Sequence, residues 1–265
     1  MKRIILIGLL AGFVRVAFAQ EKALQEKPLW EVGLFGGAAR MPHYRGSNEY
    51  SAYVLPLPYL IYRGEIVRAN RDGVKGIVWS TGRIEAALSF SGSPPVDEDN
   101  EARKGMSDIG AILEIGPGIR FFITDRENPN PLCLKAGVRA AISVDTDDFD
   151  MAYEGIRGNV KLIYRNSTFL REQGVSLCLN AGVDFANRDY NDRLYSVDSM
   201  DVMPDRPAYN AESGYSGFSL SANAVKKLND RGSVGVYYRW DNQSGAAVAD
   251  SPLVEAENNH IIGSP

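Results

Sequence analysis

The amino-acid sequence predicts an all-β protein, an antiparallel up-and-down transmembrane β-barrel of about 10–12 strands. Runs in which apolar residues alternate with small or polar residues recur along the 265 residues of the chain. Several runs reach the roughly nine to eleven residues that a tilted strand needs to cross a bilayer, whereas strands of soluble proteins average about five or six. The connections between runs alternate between long and short, which is typical of a meander with tight turns on one side of a membrane.

The alternation is clearest after Gly174. From Val175 to Phe185, every odd position is apolar and every even position is small or polar, which is the period of a β-strand. The same period appears in 132–143, 84–90 and 234–240. The strands predicted in this way are 29–39, 50–62, 65–70, 73–79, 83–90, 110–123, 132–144, 155–165, 174–186, 217–228, 233–242 and a short remnant from about 259.

Composition and charge narrow the functional classes. The chain has 26 glycines and 13 tyrosines, a bias that favours strands over helices. Its formal net charge of -4 argues against a nucleic-acid binder, which needs a basic excess. Two cysteines and two histidines are too few for a disulfide framework or a structural zinc site.

The first nineteen residues have the pattern of a secretory signal peptide. Lys2 and Arg3 precede the apolar stretch from Ile4 to Val14, and Ala17-Phe18-Ala19 matches the small residues before a cleavage site. Beyond it, no run approaches the roughly 18 apolar residues of a membrane-spanning helix. The predicted organisation is a signal peptide at 1–19 with cleavage near Ala19, a periplasmic lead-in at 20–28 and the barrel at 29–265.

Charged residues fall on the polar face of the predicted strands, which in a membrane barrel is the lumen. They form either a paired network that fills the lumen or the lining of a narrow, anion-leaning pore. Cys133 and Cys178 share this face and are expected to be small fillers rather than a disulfide. The charged candidates are Arg83, Glu85, Glu114, Arg120, Lys135, Arg139, Arg157, Lys161, Arg165, Asp184, Arg239 and Asp241.

Catalytic and metal-binding motifs are weak. The acidic segment 145–150 lacks the glycine and glutamate of a calcium loop, so we interpret it as a solvated loop, with loose divalent binding as the lesser alternative. A lipid hydrolase is a distant alternative. Only His43 and His260 could serve as its base, and the strand pattern brings no serine, histidine and acid together.

Two prolines interrupt the second predicted strand. Pro56 and Pro58 are spaced so that both missing N–H groups belong to the same ladder. We therefore expect a bend or broken pairing at 55–59.

Several short motifs are spread from about Trp30 to about Asn259. The motifs are Tyr44-Arg45-Gly46-Ser47-Asn48-Glu49-Tyr50, Leu55-Pro56-Leu57-Pro58-Tyr59, Tyr62-Arg63-Gly64, Arg71-Asp72-Gly73, Glu114-Ile115-Gly116-Pro117, Gly214-Tyr215-Ser216-Gly217-Phe218 and Asp250-Ser251-Pro252-Leu253-Val254. Together, in this order and spacing, they resemble the MipA/OmpV family of Gram-negative outer-membrane proteins. The resemblance implies an outer-membrane barrel in contact with lipid and lipopolysaccharide, without catalytic residues or cofactor. It implies a scaffold that bridges a murein lytic transglycosylase and a peptidoglycan synthase, while other members resemble adhesion or stress-response barrels.

The end of the chain departs from this pattern. Such barrels are expected to finish with a full strand and a terminal aromatic residue, whereas this sequence finishes with His260-Ile261-Ile262-Gly263-Ser264-Pro265. The last strand is therefore expected to be truncated, with an incompletely covered seam between 233–242 and 29–39.

Overall fold

The computed structural model describes residues 30–63, 67–70, 73–96, 100–144, 151–229 and 232–264. The predicted signal peptide and lead-in, and the acidic segment 145–150, lie outside these residues. No helix in the described ranges has the length and apolar content needed to cross a bilayer.

The described residues form twelve strands in one antiparallel sheet that closes into a barrel. Each strand pairs with its neighbours in sequence, and the last strand pairs with the first, so the predicted up-and-down barrel is confirmed. The strands are β1 (Trp30–Pro42), β2 (Tyr50–Arg63), β3 (Val67–Asn70), β4 (Gly73–Ser80), β5 (Ile84–Ser93), β6 (Ala111–Phe122), β7 (Leu132–Val144), β8 (Met151–Leu170), β9 (Val175–Ala186), β10 (Gly214–Lys227), β11 (Ser233–Asn242) and β12 (Asn258–Ser264).

Apolar side chains point outward and polar side chains point inward. On β6, Leu113, Ile119 and Phe121 are exposed on the outer face, whereas Glu114 is buried on the inner face. This arrangement is the inverse of a water-soluble fold and suits a barrel whose outer face contacts lipid.

β8 is longer at both ends than the predicted 155–165. At its start, the alternation is broken at Gly155, where the register with β7 shifts by one residue. Gly155 has a φ of +118°, and a Cβ there would lie 2.4 Å from the backbone nitrogen of Tyr190. The glycine therefore allows a close approach between β8 and the loop that follows β9.

That loop contains a helix, α1 (Arg188–Tyr195), which the strand pattern did not predict. Asn187 caps it, because its Oδ1 accepts hydrogen bonds from the backbone N–H groups of Tyr190 and Ile156. A side-chain cap of this kind contributes about 1 kcal/mol. One amide oxygen thus starts the helix and attaches it to β8.

The long loops at one end of the barrel fold together into a cap, which we define as residues 43–49, 94–96, 100–110, 187–213 and 243–257. The cap supplies most of the larger buried apolar cluster, to which the barrel adds residues at the ends of its strands. The members of the cluster are Tyr44, Val96, Ile109, Ile112, Ala141, Ala186, Tyr190, Leu194, Tyr195, Ala211, Ala246 and Val248. These loops therefore pack into one body above the lumen.

β2 is paired on one side over most of its length. Its register with β1 runs through Pro56 and Pro58 without interruption, opposite Gly36 and Leu34. On the other side, the described residues of β3 pair with β2 only at Tyr62 and Arg63. Among the described residues, 55–59 are therefore paired with β1 alone, and the expected bend or broken pairing at the prolines stays a prediction.

β12 bridges β11 and β1. Its described residues pair with Tyr237–Asn242 of β11 and with Ala38–Arg40 of β1. The ladder is continuous at the end of the barrel near the cap. Along the rest of β11 and β1, no pairing with β12 occurs among the described residues.

The barrel orientation is testable by labelling. A cysteine tag inserted near Ser199, in the cap, should react with a membrane-impermeant reagent on intact cells, because long loops of such barrels face outward. A tag at Asp230, between β10 and β11, should react only after the outer membrane is opened. Labelling of Asp230 alone on intact cells would reverse the orientation.

Candidate functional site

A continuous chain of ion pairs crosses the lumen below the cap. Glu114 accepts from Arg139 Nε at 2.8 Å and lies 3.2 Å from Arg157 Nη1. Nη2 of Arg157 lies 3.6 Å from Oδ1 of Asp184. The charges alternate in sign along the whole chain. Its seven members, in order, are Arg139, Glu114, Arg157, Asp184, Arg45, Asp241 and Arg239.

Arg45 is the member that comes from the cap. Its guanidinium donates to Asp184 at 2.9 Å and to Asp241, and it also bonds the backbone oxygen of Ser216 at 3.1 Å. Burial by itself would lower the pKa of Arg45, but Asp241 and Asp184 outweigh it and raise that pKa above its ordinary value. The arginine is therefore a permanent cation that joins the cap to β9 and β11.

A second ion-paired group lies nearer the short-turn end. Glu85 lies 2.9 Å from Arg126 Nη2 and 3.9 Å from Arg120 Nη1. Lys135 and Lys161 are direct cross-strand partners on the inward face of β7 and β8. The Lys161 stem lies across β9, since a Cβ on Gly182 would approach its Cγ to 2.5 Å. Long charged side chains thus occupy this level of the lumen.

An apolar cluster follows at the short-turn end of the lumen. Phe122, Cys133 and Ile163 are buried together, and Cys178 packs against them. The two cysteines are not joined by a disulfide. They occupy the space of small apolar side chains, as the sequence predicts.

Eleven of the twelve predicted lumen residues lie on the inward face of the barrel. Six of them join the ion-pair chain, and Glu85 and Arg120 form part of the second group. Arg165 lies inward near the end of β8. Arg83 directly precedes β5, which begins at Ile84, and its side chain is exposed.

The strand pattern missed Arg45 and Arg126, which both lie in connections. Arg126 is a turn residue whose side chain folds back to Glu85. The alternation of apolar and polar residues gives no information about the side chains of a connecting loop. The predicted lumen residues also included more cations than anions, so they did not point to further arginines. The one sequence signal for Arg45 is its position inside a motif that also carries the family resemblance.

Hydrogen bonds fix the loop around Arg45. Tyr195 of α1 donates to the backbone oxygen of Arg45 at 2.9 Å, and Tyr44 donates to that of Leu253 at 2.8 Å. Burial raises the pKa of Tyr195 to about 12, so its hydroxyl remains a donor at neutral pH. Gly46 has a φ of +99°, and a Cβ there would lie 2.7 Å from Gln243 Oε1. Loop 43–49 is therefore tightly held between α1 and the last loop.

The first residue of this loop, His43, contacts a serine of β2. The sequence did not indicate this contact. His43 Nε2 lies 2.9 Å from Ser51 Oγ, and Asn100 Nδ2 lies 3.2 Å from His43 Nδ1. Asn100 Oδ1 accepts from the backbone N–H of Arg103, which directs its amide nitrogen to the histidine. Nδ1 of His43 therefore accepts a hydrogen bond from the Asn100 amide, and the ring proton lies on Nε2. A general base needs a proton-free nitrogen at the serine, so this is a structural network rather than a nucleophile and its base.

The model of the family described as MltA-interacting protein MipA matches residues 33–264. The chain belongs to the MipA family. Outer membrane protein OmpV of Vibrio cholerae serotype O1 is 27% identical to it over 84 residues, and outer membrane protein Omp26La of Vibrio anguillarum is 28% identical over 90 residues. The matched segments cover 32% and 34% of this chain, and the same shares of those two relatives. No solved structure matches the chain.

Membership of the MipA family agrees with the resemblance seen in the sequence motifs. Together with the named relatives, it makes this chain an outer-membrane protein of Gram-negative bacteria. The outward apolar face of the barrel is therefore a lipid-facing surface.

The role of Arg45 is testable by unfolding. Arg45→Ala should lower the free energy of unfolding by about 3 kcal/mol, because it leaves two buried carboxylates short of a partner. Arg188→Ala, an exposed arginine at the start of α1, should change it by no more than about 0.5 kcal/mol. Urea unfolding of the refolded barrel in micelles measures the free energy of unfolding of each variant. If Arg45→Ala lowered it as little as Arg188→Ala does, a central role for Arg45 would be contradicted.

Proposed function

We propose that this chain is an interaction protein of the outer membrane that holds a murein lytic transglycosylase and a peptidoglycan synthase together. The observation that carries the proposal is the filled lumen. Ion pairs, lysine stems and an apolar cluster occupy successive levels of it, and the cap covers one end. Because the described inward side chains engage one another, the rims of the barrel are the surfaces that we assign to function. The description of the family as MltA-interacting supports the same role.

The short-turn rim carries a candidate docking surface for such partners. Phe169 and Leu170, at the end of β8, and Leu228, after β10, are all exposed apolar side chains. The two turns are linked, because the backbone N–H of Lys227 donates to the oxygen of Gly174 at 2.9 Å. Exposed apolar side chains at a rim that faces the periplasm are suited to a protein partner.

Surface adhesion is a second candidate. The cap exposes Met200, Val202 and Met203 at the tip of its longest loop, and Met200 is 87% exposed. Methionines are adaptable contacts on binding surfaces. A pore is less well supported, because the same charged side chains that would line it are engaged with one another across the lumen. A lipid hydrolase is less well supported, because the protonated nitrogen of His43 faces Ser51.

Partner capture tests the scaffold. Full-length barrel in micelles should recover a lytic transglycosylase and a peptidoglycan synthase from a periplasmic extract. Phe169→Ser combined with Leu228→Ser should lower recovery at least about tenfold, which corresponds to about 1.4 kcal/mol of binding energy. Met200→Ser, at the opposite end, is the matched control. Loss of recovery with Met200→Ser but not with the double variant would move the interaction to the cap.

Conductance tests the filled lumen. Liposomes that contain the refolded barrel should swell in small sugars no faster than empty liposomes, because ion-paired and apolar side chains occupy successive levels of the lumen. A large porin reconstituted in parallel serves as the positive control. Rapid swelling, or anion current across a planar bilayer, would favour the pore.

A further inference from the structure

An arginine lies on the outward face of the barrel near the cap. Arg40 is exposed on β1, and Met41 next to it lines the space below the cap, so Arg40 points outward. Among the described strand residues in the half of the barrel nearest the cap, it is the one lysine or arginine exposed on the outward face. Its guanidinium contacts the ring of Tyr50, with Cζ 4.3 Å from the ring centroid, and forms no ion pair with a described residue.

Tyr50 connects this arginine to β12. It is the first residue of β2 and pairs with Pro42 at the end of β1. Its hydroxyl accepts a hydrogen bond from the backbone N–H of His260 at 3.1 Å. Because β1 lies between β2 and β12, the Tyr50 side chain crosses the outer face of β1. Arg40 and His260 therefore belong to one patch of the outer wall.

Two aromatic residues of β11 complete the patch. Trp240 pairs with His260, and the Tyr238 ring stacks on the His260 ring with centroids 6.0 Å apart. The Tyr238 hydroxyl lies 2.9 Å from Nδ1 of His260. We define Arg40, Tyr50, Tyr238, Trp240 and His260 as the outer patch. Aromatic girdles mark the boundary between lipid and water in such barrels, so the patch lies at the level of lipid headgroups.

Apolar side chains continue from the outer patch towards the middle of the barrel. Ile262 of β12 lies opposite Arg40, and Val54 of β2 lies opposite Ala38. Ile262 is 54% exposed and Val54 is 78% exposed. The wall thus presents a cation at headgroup level next to an apolar surface. This arrangement is complementary to a lipid that has an anionic headgroup and hydrocarbon chains.

The chemistry of the outer patch favours a phosphate as the anionic group. A guanidinium donates two parallel hydrogen bonds to a phosphate, and the ring of Tyr50 holds the guanidinium of Arg40 in place. When the Tyr238 hydroxyl donates to Nδ1 of His260, the ring proton lies on Nε2. Nε2 has no partner among the described residues and the side chain is exposed, so it is available to donate to a ligand.

We propose that the outer patch binds a phosphate of lipid A, the membrane anchor of lipopolysaccharide, with Arg40 and Nε2 of His260 as the donors. Long loops of outer-membrane barrels face outward, so the end of the wall that carries the cap meets the outer leaflet, where lipopolysaccharide is the main lipid. The exposed apolar side chains next to the patch then contact the acyl chains. This site is separate from the rims on which the proposed function rests.

Titration with lipid A tests the ligand. Full-length barrel refolded in dodecyl maltoside, a detergent without phosphate, should bind lipid A and saturate, with the bound lipid counted by native mass spectrometry. Lipid A from which the phosphates have been removed has the same chains and should bind at least about tenfold more weakly, because Arg40 then lacks an anion. Equal binding of the two lipids would overturn the proposal.

Three variants test the location. Arg40→Gln should lower the affinity for lipid A at least about tenfold. His260→Phe keeps a ring against Tyr238 but removes the Nε2 donor, and it should lower the affinity about threefold or more. Lys226→Gln is the matched control, because Lys226 is exposed opposite the outward Val234 at the other end of the barrel.

Heat-modifiable gel mobility shows that the three variants fold. Lys226→Gln should bind lipid A as the unchanged barrel does. If folded Arg40→Gln bound lipid A as tightly as Lys226→Gln, the assignment of the outer patch would be overturned. If His260→Phe bound as tightly as the unchanged barrel, the role of Nε2 would be overturned.

Photo-crosslinking in cells identifies the source of the phosphate. A benzoylphenylalanine in place of Ala38, which is exposed on the same face as Arg40, should form an adduct that lipid A antibodies recognise. The same group in place of Lys226 should crosslink to glycerophospholipid, because that end of the wall meets the inner leaflet. Adducts with glycerophospholipid alone at position 38 would overturn the assignment to lipid A.

Discussion

The buried carboxylate of Asp184 imposes the constraint on which much of this structure depends. It is 1% exposed inside a barrel whose outer face is apolar, so its charge needs a partner within the lumen. Arg157 supplies one from β8 and Arg45 supplies another from the cap. Each arginine then bonds a further carboxylate, which extends the chain of alternating charge from β7 to β11. These charges are paired across the described part of the lumen because isolated charges there would be too costly.

The position of Arg45 couples the cap to the barrel. A loop whose arginine is buried among lumen carboxylates cannot move away without leaving Asp184 and Asp241 short of a cation. The same loop is held from above by the hydroxyl of Tyr195 and beside it by the close contact of Gly46 with Gln243. The ion pairs of Arg45 with the barrel and the contacts with the cap thus hold the same short segment, residues 43–49. The long loops behave as a folded part of the protein for this reason.

The sequence alone predicted the strand positions because the alternation of apolar and polar residues can be seen within each segment by itself. β9 and β11 lie within one residue of their predicted ends, and the inward face of β6 to β9 follows from the same period. Helix α1 was not predicted, because its eight residues span about two turns and depend on Asn187 and on packing against β8. The ion pairs of Arg45 and Arg126 and the contact of His43 with Asn100 join segments distant in sequence. No pattern in one segment reports such contacts.

The distribution of apolar and charged groups also indicates where the fold leaves room for a ligand. Below the cap, the space within the barrel is taken by paired charges and then by Phe122, Ile163 and the two cysteines. The exception is the level at which the cap meets the ion-pair chain, where a cavity of about 360 Å³ remains. Edge strands are tolerated near lipid only where their backbone groups are otherwise satisfied or removed. Pro56 and Pro58 remove two N–H donors from β2 and so reduce the number of backbone groups of that strand that need a partner.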